Sequence, residues 1–190
     1  MERKEEIGLG IITRAWLPLA ASWLLMSVEL PSVSAVMARM ADPETNLAAY
    51  GSVVFPFALI IEAPIIMLLA ASTALSKDKA SYESLKSFTH RLSLLLTIIH
   101  AVVAFTPLFD LWIVPAMDVP AEVIEPARLG MRMMIPWTWP IAYRRFCQGV
   151  LIRFGYSKAV TIGTGFRLVA MVSTLAIGSL VLELPGVAVG

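Results

Sequence analysis

The chain has 190 residues, 58% of them hydrophobic and only 15% charged, with a mean hydropathy of +0.77. An ordinary soluble domain carries about 25% charge, so this composition excludes a globule coated with ionic groups. A formal net charge of +1, with no basic patch interleaved with Trp and Tyr, gives no basis for nucleic-acid binding.

The segment 1–14 mixes acids and bases ahead of the first apolar run, 15–38, which only Glu29 interrupts among acidic residues. Ser32-Val-Ser-Ala35 imitates a signal-cleavage site, but Glu29 breaks the apolar stretch that a signal peptide needs, so a retained spanning helix is expected. The second run, 47–76, contains Glu62 and would measure ~45 Å as helix, longer than a ~30 Å hydrocarbon core. It must tilt, kink or protrude, and Pro56 and Pro64 supply places to kink. The third run, 92–109, holds His100. From Asp110 to Pro126 the prolines and Trp112 read as a loop with a short interfacial piece.

The fourth run is the least apolar. Only Met133 to Tyr143 separate Arg132 from Arg144 and Arg145, ~17 Å of helix, too short to cross alone. Either it is interfacial, or a span over 126–150 carries Arg144 and Arg145 into a protein-lined cavity while Arg132 snorkels outward; its neighbours favour a crossing. The fifth run, 159–182, contains Arg167 and ends in Glu183-Leu-Pro-Gly186, a stop signal. The expected fold is therefore an all-α transmembrane bundle of about five spans.

Eleven bases (Arg3, Lys4, Arg14, Lys77, Lys79, Lys86, Arg91, Arg144, Arg145, Arg153 and Lys158) fall on one side under this alternation, against Arg39, Arg128 and Arg132 on the other. Positive-inside reasoning places the eleven, and the N-terminus, in the cytoplasm. A bacterial inner membrane is the expected location.

Two stretches carry a family resemblance. One is the turn Ala35-Val-Met-Ala-Arg-Met-Ala-Asp-Pro-Glu-Thr-Asn-Leu-Ala-Ala-Tyr-Gly51, leading into a helix that ends at Ser76. The other is Arg144-Arg-Phe-Cys-Gln-Gly149 followed by Arg153-Phe-Gly155. Together they resemble the multidrug and toxic compound extrusion (MATE) transporters and the wider multidrug/oligosaccharidyl-lipid/polysaccharide flippase superfamily, with the progressive-ankylosis-like branch also similar. The resemblance implies two six-helix bundles around a central cavity and alternating access. This chain would supply most of the first bundle. A second lobe would come from the same chain, if this is a fragment, or from another subunit, and Glu183 to Gly190 reads as the approach to another span. Drug-exporting relatives often carry an acid near the position of Val33 or Ser34; Glu29 lies about one turn deeper.

Charged groups inside a bilayer are costly and usually face a cavity or a partner, which singles out Glu29, Glu62 and Arg167. Glu29 or Glu62 is a candidate proton or cation site; the bland alternative is an ion pair of either acid with Arg167, or a protonated Glu bonded to a neighbouring helix. His100 is more naturally a packing residue than a proton relay. Arg144, with Gln148 before the Gly of the second motif, reads as a cytoplasmic anchor or, less simply, a gate. Gly163 and Gly165, with Thr161 and Thr164, thin the fifth helix for close packing. Pro18, Pro31, Pro56, Pro64, Pro136 and Pro140 are candidate kinks.

One cysteine, Cys147, excludes an intramolecular disulfide and a multi-cysteine metal site. With no His-Glu-x-x-His, Gly-x-Ser-x-Gly or Walker loop, an enzyme is not expected. The expected function is secondary active transport, with H+ or Na+ coupling, exporting small amphipathic or cationic compounds. The alternatives are a lipid-linked saccharide or polyanion flippase, or a non-transporting structural subunit. No cofactor or metal is implied; the partners are the bilayer, a small-molecule substrate and the second lobe.

Overall fold

A computed structural model describes residues 9–190, and among them every regular element is helical. The bases Arg3 and Lys4 lie outside the described residues. Four helical stretches are long and apolar enough to cross a membrane: Ile12–Met37, Pro43–Leu75, Lys79–Phe105 and Ser157–Leu180. The chain is an all-α helical bundle whose apolar helices fit an integral membrane protein.

The first stretch is two helices, α1 (Leu9–Ser27) and α2 (Glu29–Met37), broken at Val28. Pro31 lacks the N–H that would bond the Ser27 carbonyl, so the break falls where the ladder loses a donor. A turn with Asp42 in the left-handed region, φ 47°, leads into α3 (Pro43–Ala48), where Pro43 occupies the tolerated first position. A π-helical segment, Ala49–Val54, joins α3 to α4 (Phe55–Leu75). Pro56 again removes a donor, this time to the Ser52 carbonyl, and the widened turn lies directly before it. Pro18 and Pro64, by contrast, sit inside uninterrupted helices.

Helix α5 runs Lys79–Phe105, beginning 13 residues before the apolar run that announced it. Its start is set by a capping box: the Asp78 carboxylate accepts from the Ser81 amide and the Ser81 hydroxyl from the Asp78 amide. These bonds hold the exposed Asp78 carboxyl below its usual range. The cap is therefore complete above that range and is lost as pH falls through the depressed value.

The stretch expected as a loop is largely helical. A π-turn (Phe109–Ile113) and the short α6 (Val114–Ala116) precede a turn with Asp118 at φ 48°, and α7 then spans Ala121–Met133 with Pro126 inside it. A 3-10 turn, Ile135–Trp137, separates α7 from α8 (Thr138–Arg153) at Pro136. The span expected over 126–150 is thus two helices with a break. After α9 (Ser157–Leu180), Glu183 takes a left-handed turn, φ 48°, into the short α10 (Gly186–Val189).

The charges separate by end. Lys77, Lys79, Lys86, Arg91, Arg153 and Lys158 lie around the α4–α5 and α8–α9 connections, the basic end. The three left-handed acids, Asp42, Asp118 and Glu183, all turn the chain at the opposite end.

Helix α4 packs most extensively on α8, and α5 lies across both. The closest approach is at Gly149, where an added Cβ would stand 2.5 Å from the Leu69 carbonyl oxygen and 2.6 Å from the Ser72 Cβ. Helix α1 packs along α9. The glycines expected to thin α9 do not make that contact, since Gly163 and Gly165 face open space. Its threonines do: Thr161 donates to the Pro18 carbonyl at 2.5 Å, and Thr164 shares a 2.6 Å bond with Ser22. At the opposite end Asn46 is buried and accepts from the Val187 amide at 3.0 Å while donating to the Ala41 and Asp42 carbonyls. It ties α10 to the start of α3.

Gly149→Val drives a side chain into backbone and is expected to cost about 1–3 kcal/mol, whereas Gly163→Ala, facing open space, gains helix propensity of roughly 0.5–1 kcal/mol. Thermal unfolding of the two variants in the same detergent, by scanning fluorimetry, checks the opposite signs.

Candidate functional site

Four helices bring five ionisable side chains together inside the bundle. Glu29 is the first residue of α2, at the break after α1. Its carboxylate accepts a hydrogen bond from Arg167 Nη2 on α9, completing an ion pair whose side chains are 19% and 21% exposed. Of the two pairings open to Arg167 from sequence, this is the one formed.

Glu62 projects from the middle of α4, 13 residues before its end, about 20 Å of helix. It is 9% exposed, and its Oε1 accepts a 2.5 Å bond from the indole Nε1 of Trp137. Trp137 stands in the 3-10 turn between α7 and α8, so this bond fastens the interrupted segment to α4. An indole N–H only donates, so the bond survives whether Glu62 is ionised or neutral.

Arg144 and Arg145 are consecutive on α8, nine and eight residues before its end, roughly 12–14 Å of helix. Both lie within electrostatic reach of Glu62 and Arg167, and Arg144 also of Glu29. Neither has an acid within 4 Å among the described residues, whose ion pairs are Arg167–Glu29, Arg128–Asp110 and Arg128–Glu125. Among the described residues Arg144 Nη1, Arg145 Nε and Arg167 Nε are buried without a hydrogen-bond partner, as is Gln148 Oε1 one turn along α8. Among the described residues this cluster therefore holds three guanidinium groups to two carboxylates, and both carboxylates already have a donor.

His100 has a separate task. It is buried, packs edge-on to Phe57 with centroids 5.3 Å apart, and its Nε2 donates to the Met131 carbonyl at 2.9 Å. Met131 lies in the last turn of α7, where carbonyls lose their helical donors. His100 thus satisfies a backbone group exposed by the break at Pro136. A small crevice between Ala58, Ile61 and Met134 brings it beside Glu62 without admitting a water-sized molecule.

Two members of the cluster had no sequence signal of this role. Trp137 looked like part of a short apolar run; Pro136 marked the break but not the carboxylate opposite. Tyr50, buried in the π-helical segment, lies within electrostatic reach of both Glu29 and Glu62. Among the described residues no three His, Cys, Asp or Glu side chains gather as a metal site requires.

Removing one partner of a buried ion pair costs more than removing both, because a lone charge stays behind. Arg167→Met is expected to destabilise by about 2 kcal/mol, below the fully buried case because the pair is partly exposed. Adding Glu29→Met should recover most of that loss. A double variant at least as unstable as the sum of the singles, by thermal unfolding, would show that the two charges are not coupled. Glu62→Gln keeps the acceptor for Trp137 and should leave the melting temperature within a few degrees, whereas Glu62→Leu leaves the indole N–H unpaired at about 1–3 kcal/mol.

Compared with family models, with curated proteins and with solved structures, the chain matches none.

Proposed function

We propose that this chain forms the N-terminal lobe of a secondary active transporter that works by alternating access, with Glu29, Glu62, Arg144, Arg145 and Arg167 lining its pathway. One observation carries the reading: a largely half-buried cluster of five charges at a broken helix, inside a bundle of membrane-length apolar helices. Ionisable groups placed at that depth are expensive and persist where they serve transport, and interrupted helices are where transporters build their sites. A purely structural subunit gains nothing from two arginines left without acids.

The basic end, by the same positive-inside argument as before, faces the cytoplasm. The interrupted segment α7–α8 then completes a fifth crossing, with a carbonyl at its break satisfied by His100 and its turn fastened to Glu62 through Trp137. A second lobe closes the pathway, and the MATE-like resemblance of the two motifs agrees with that arrangement. Protons or Na+ are the coupling ions, with Glu29 the acid whose pairing to Arg167 changes between states.

The substrate class turns on the arginines. With Arg167 as the one interior base, two acids favoured cationic compounds. With Arg144 and Arg145 added and both acids engaged, the balance favours the alternative, an anionic or lipid-linked phosphate-bearing substrate, since guanidinium groups bind phosphate and carboxylate through paired N–H donors.

Full-length protein in proteoliposomes, energised by a proton or Na+ gradient, tests this directly. Arg144→Gln with Arg145→Gln should lower transport of an anionic substrate about ten-fold or more, the loss of one charge-assisted contact, while sparing expression. Glu29→Gln should reduce gradient-driven transport more than it reduces expression. Undiminished transport in the purified variants defeats the pathway assignment, and transport of cations alone returns the substrate to the cationic class.

A further inference from the structure

The upper halves of α2 and α9, at the end opposite the basic one, splay apart. Toward the basic end these helices and α1 are stitched by Glu29–Arg167, Ser22–Thr164 and Thr161–Pro18. Beyond Glu29 the walls separate into a cavity of about 750 Å³, whose sides are Val36, Val172, Leu175 and Ala176 among others. At its mouth stand two opposite charges, Arg39 just past the end of α2 and Glu183 in the turn after α9. Neither has an ion-pair partner among the described residues, and they do not pair with each other.

The arrangement has an apolar body and a mouth that is positive on one wall and negative on the other. It lies at the level where α2 and α9 end, which in a bilayer is the headgroup layer. Arg39 spends one of its five N–H donors on the Ala35 carbonyl, in the last turn of α2. The rest of its guanidinium remains for an anion such as phosphate. Glu183 is held in a left-handed conformation, φ 48°, that glycine would adopt more easily; the turn is fixed by the Leu184 amide bonding the Gly178 carbonyl at 3.1 Å. Its carboxylate suits a primary ammonium group.

We propose that this cleft binds one zwitterionic phospholipid, phosphatidylethanolamine, with an acyl chain between α2 and α9, the phosphate on Arg39 and the ammonium on Glu183. Charge complementarity selects this occupant: an anionic lipid would meet Glu183 with no cation to offer, and a purely apolar ligand would leave both charges unanswered. The site is distinct from the central charge cluster and depends only on the helices lying in a bilayer.

Native mass spectrometry of the full chain, released from nanodiscs of equal phosphatidylethanolamine and phosphatidylglycerol, tests the proposal. The wild type should keep one phosphatidylethanolamine through delipidation, about ten-fold in preference to phosphatidylglycerol, as one charge-assisted contact allows. Glu183→Gln should abolish the preference while lipid is still retained. Arg39→Glu should lose retention of both lipids, and Ala176→Phe, filling the cleft, should do the same with helical circular dichroism unchanged. Equal retention of the two lipids by the wild type overturns the proposal. So does a preference for phosphatidylglycerol, a preference that Glu183→Gln leaves intact, or a second copy of the chain seated in place of lipid.

Discussion

The interior of this bundle is organised by one constraint: among apolar side chains, a charge or an interrupted backbone must find its partner on another helix. Three long-range bonds in the middle of the molecule answer it, whereas Arg144 and Arg145 have no acid beside them among the described residues. His100 on α5 bonds a carbonyl at the end of α7, Trp137 in the following turn bonds Glu62 on α4, and Arg167 on α9 meets Glu29 at the break before α2. The interruptions within the membrane-length stretches and α7–α8, at Val28, Ala49–Val54 and Ile135–Trp137, each lie close to a proline, Pro31, Pro56 and Pro136. At the break before Pro136 the His100 ring supplies the donor that the Met131 carbonyl lacks in a medium that cannot solvate it.

These bonds divide the bundle into two groups. Helices α4, α5, α7 and α8 pack together, with the closest approach between α4 and α8 at Gly149. Helices α1, α2 and α9 are joined by hydroxyl contacts and one ion pair. The charge cluster lies between them: Glu62, Arg144 and Arg145 belong to the first group, Glu29 and Arg167 to the second. Sliding one group past the other changes the field at every member of the cluster, since electrostatic energy in a low-dielectric interior varies steeply with separation. On the transport reading proposed above, that position would let the cluster couple an ion to a change of shape.

Much of this was legible in the residues. Composition and run length announced a helical membrane bundle, and the charges that interrupt apolar runs, Glu29, Glu62 and Arg167, are the ones the structure gathers. Arg144 and Arg145 were counted with the cytoplasmic bases and also placed in a protein-lined cavity by the favoured reading of the fourth run. In sequence they sit at the edge of an 11-residue apolar run, so the α8 that carries them, extending nine residues further to Arg153, was not apparent from hydropathy. The region 110–126 was taken for a loop because prolines were counted as stops, while Pro115 and Pro126 are accommodated within helical turns.

The sequence by itself determined what depends on local chemistry: apolar length makes helices, a missing proline N–H weakens a ladder, and an Asp three residues before a Ser caps a helix. Only the tertiary structure decided which carboxylate meets which base, because Glu29 and Arg167 are separated by 138 residues and hydropathy carries no record of how helices rotate against one another. The same holds for the contact between α1 and α9, made by threonines and not by the neighbouring glycines. Small residues permit a close approach, but helix rotation decides which of them face it.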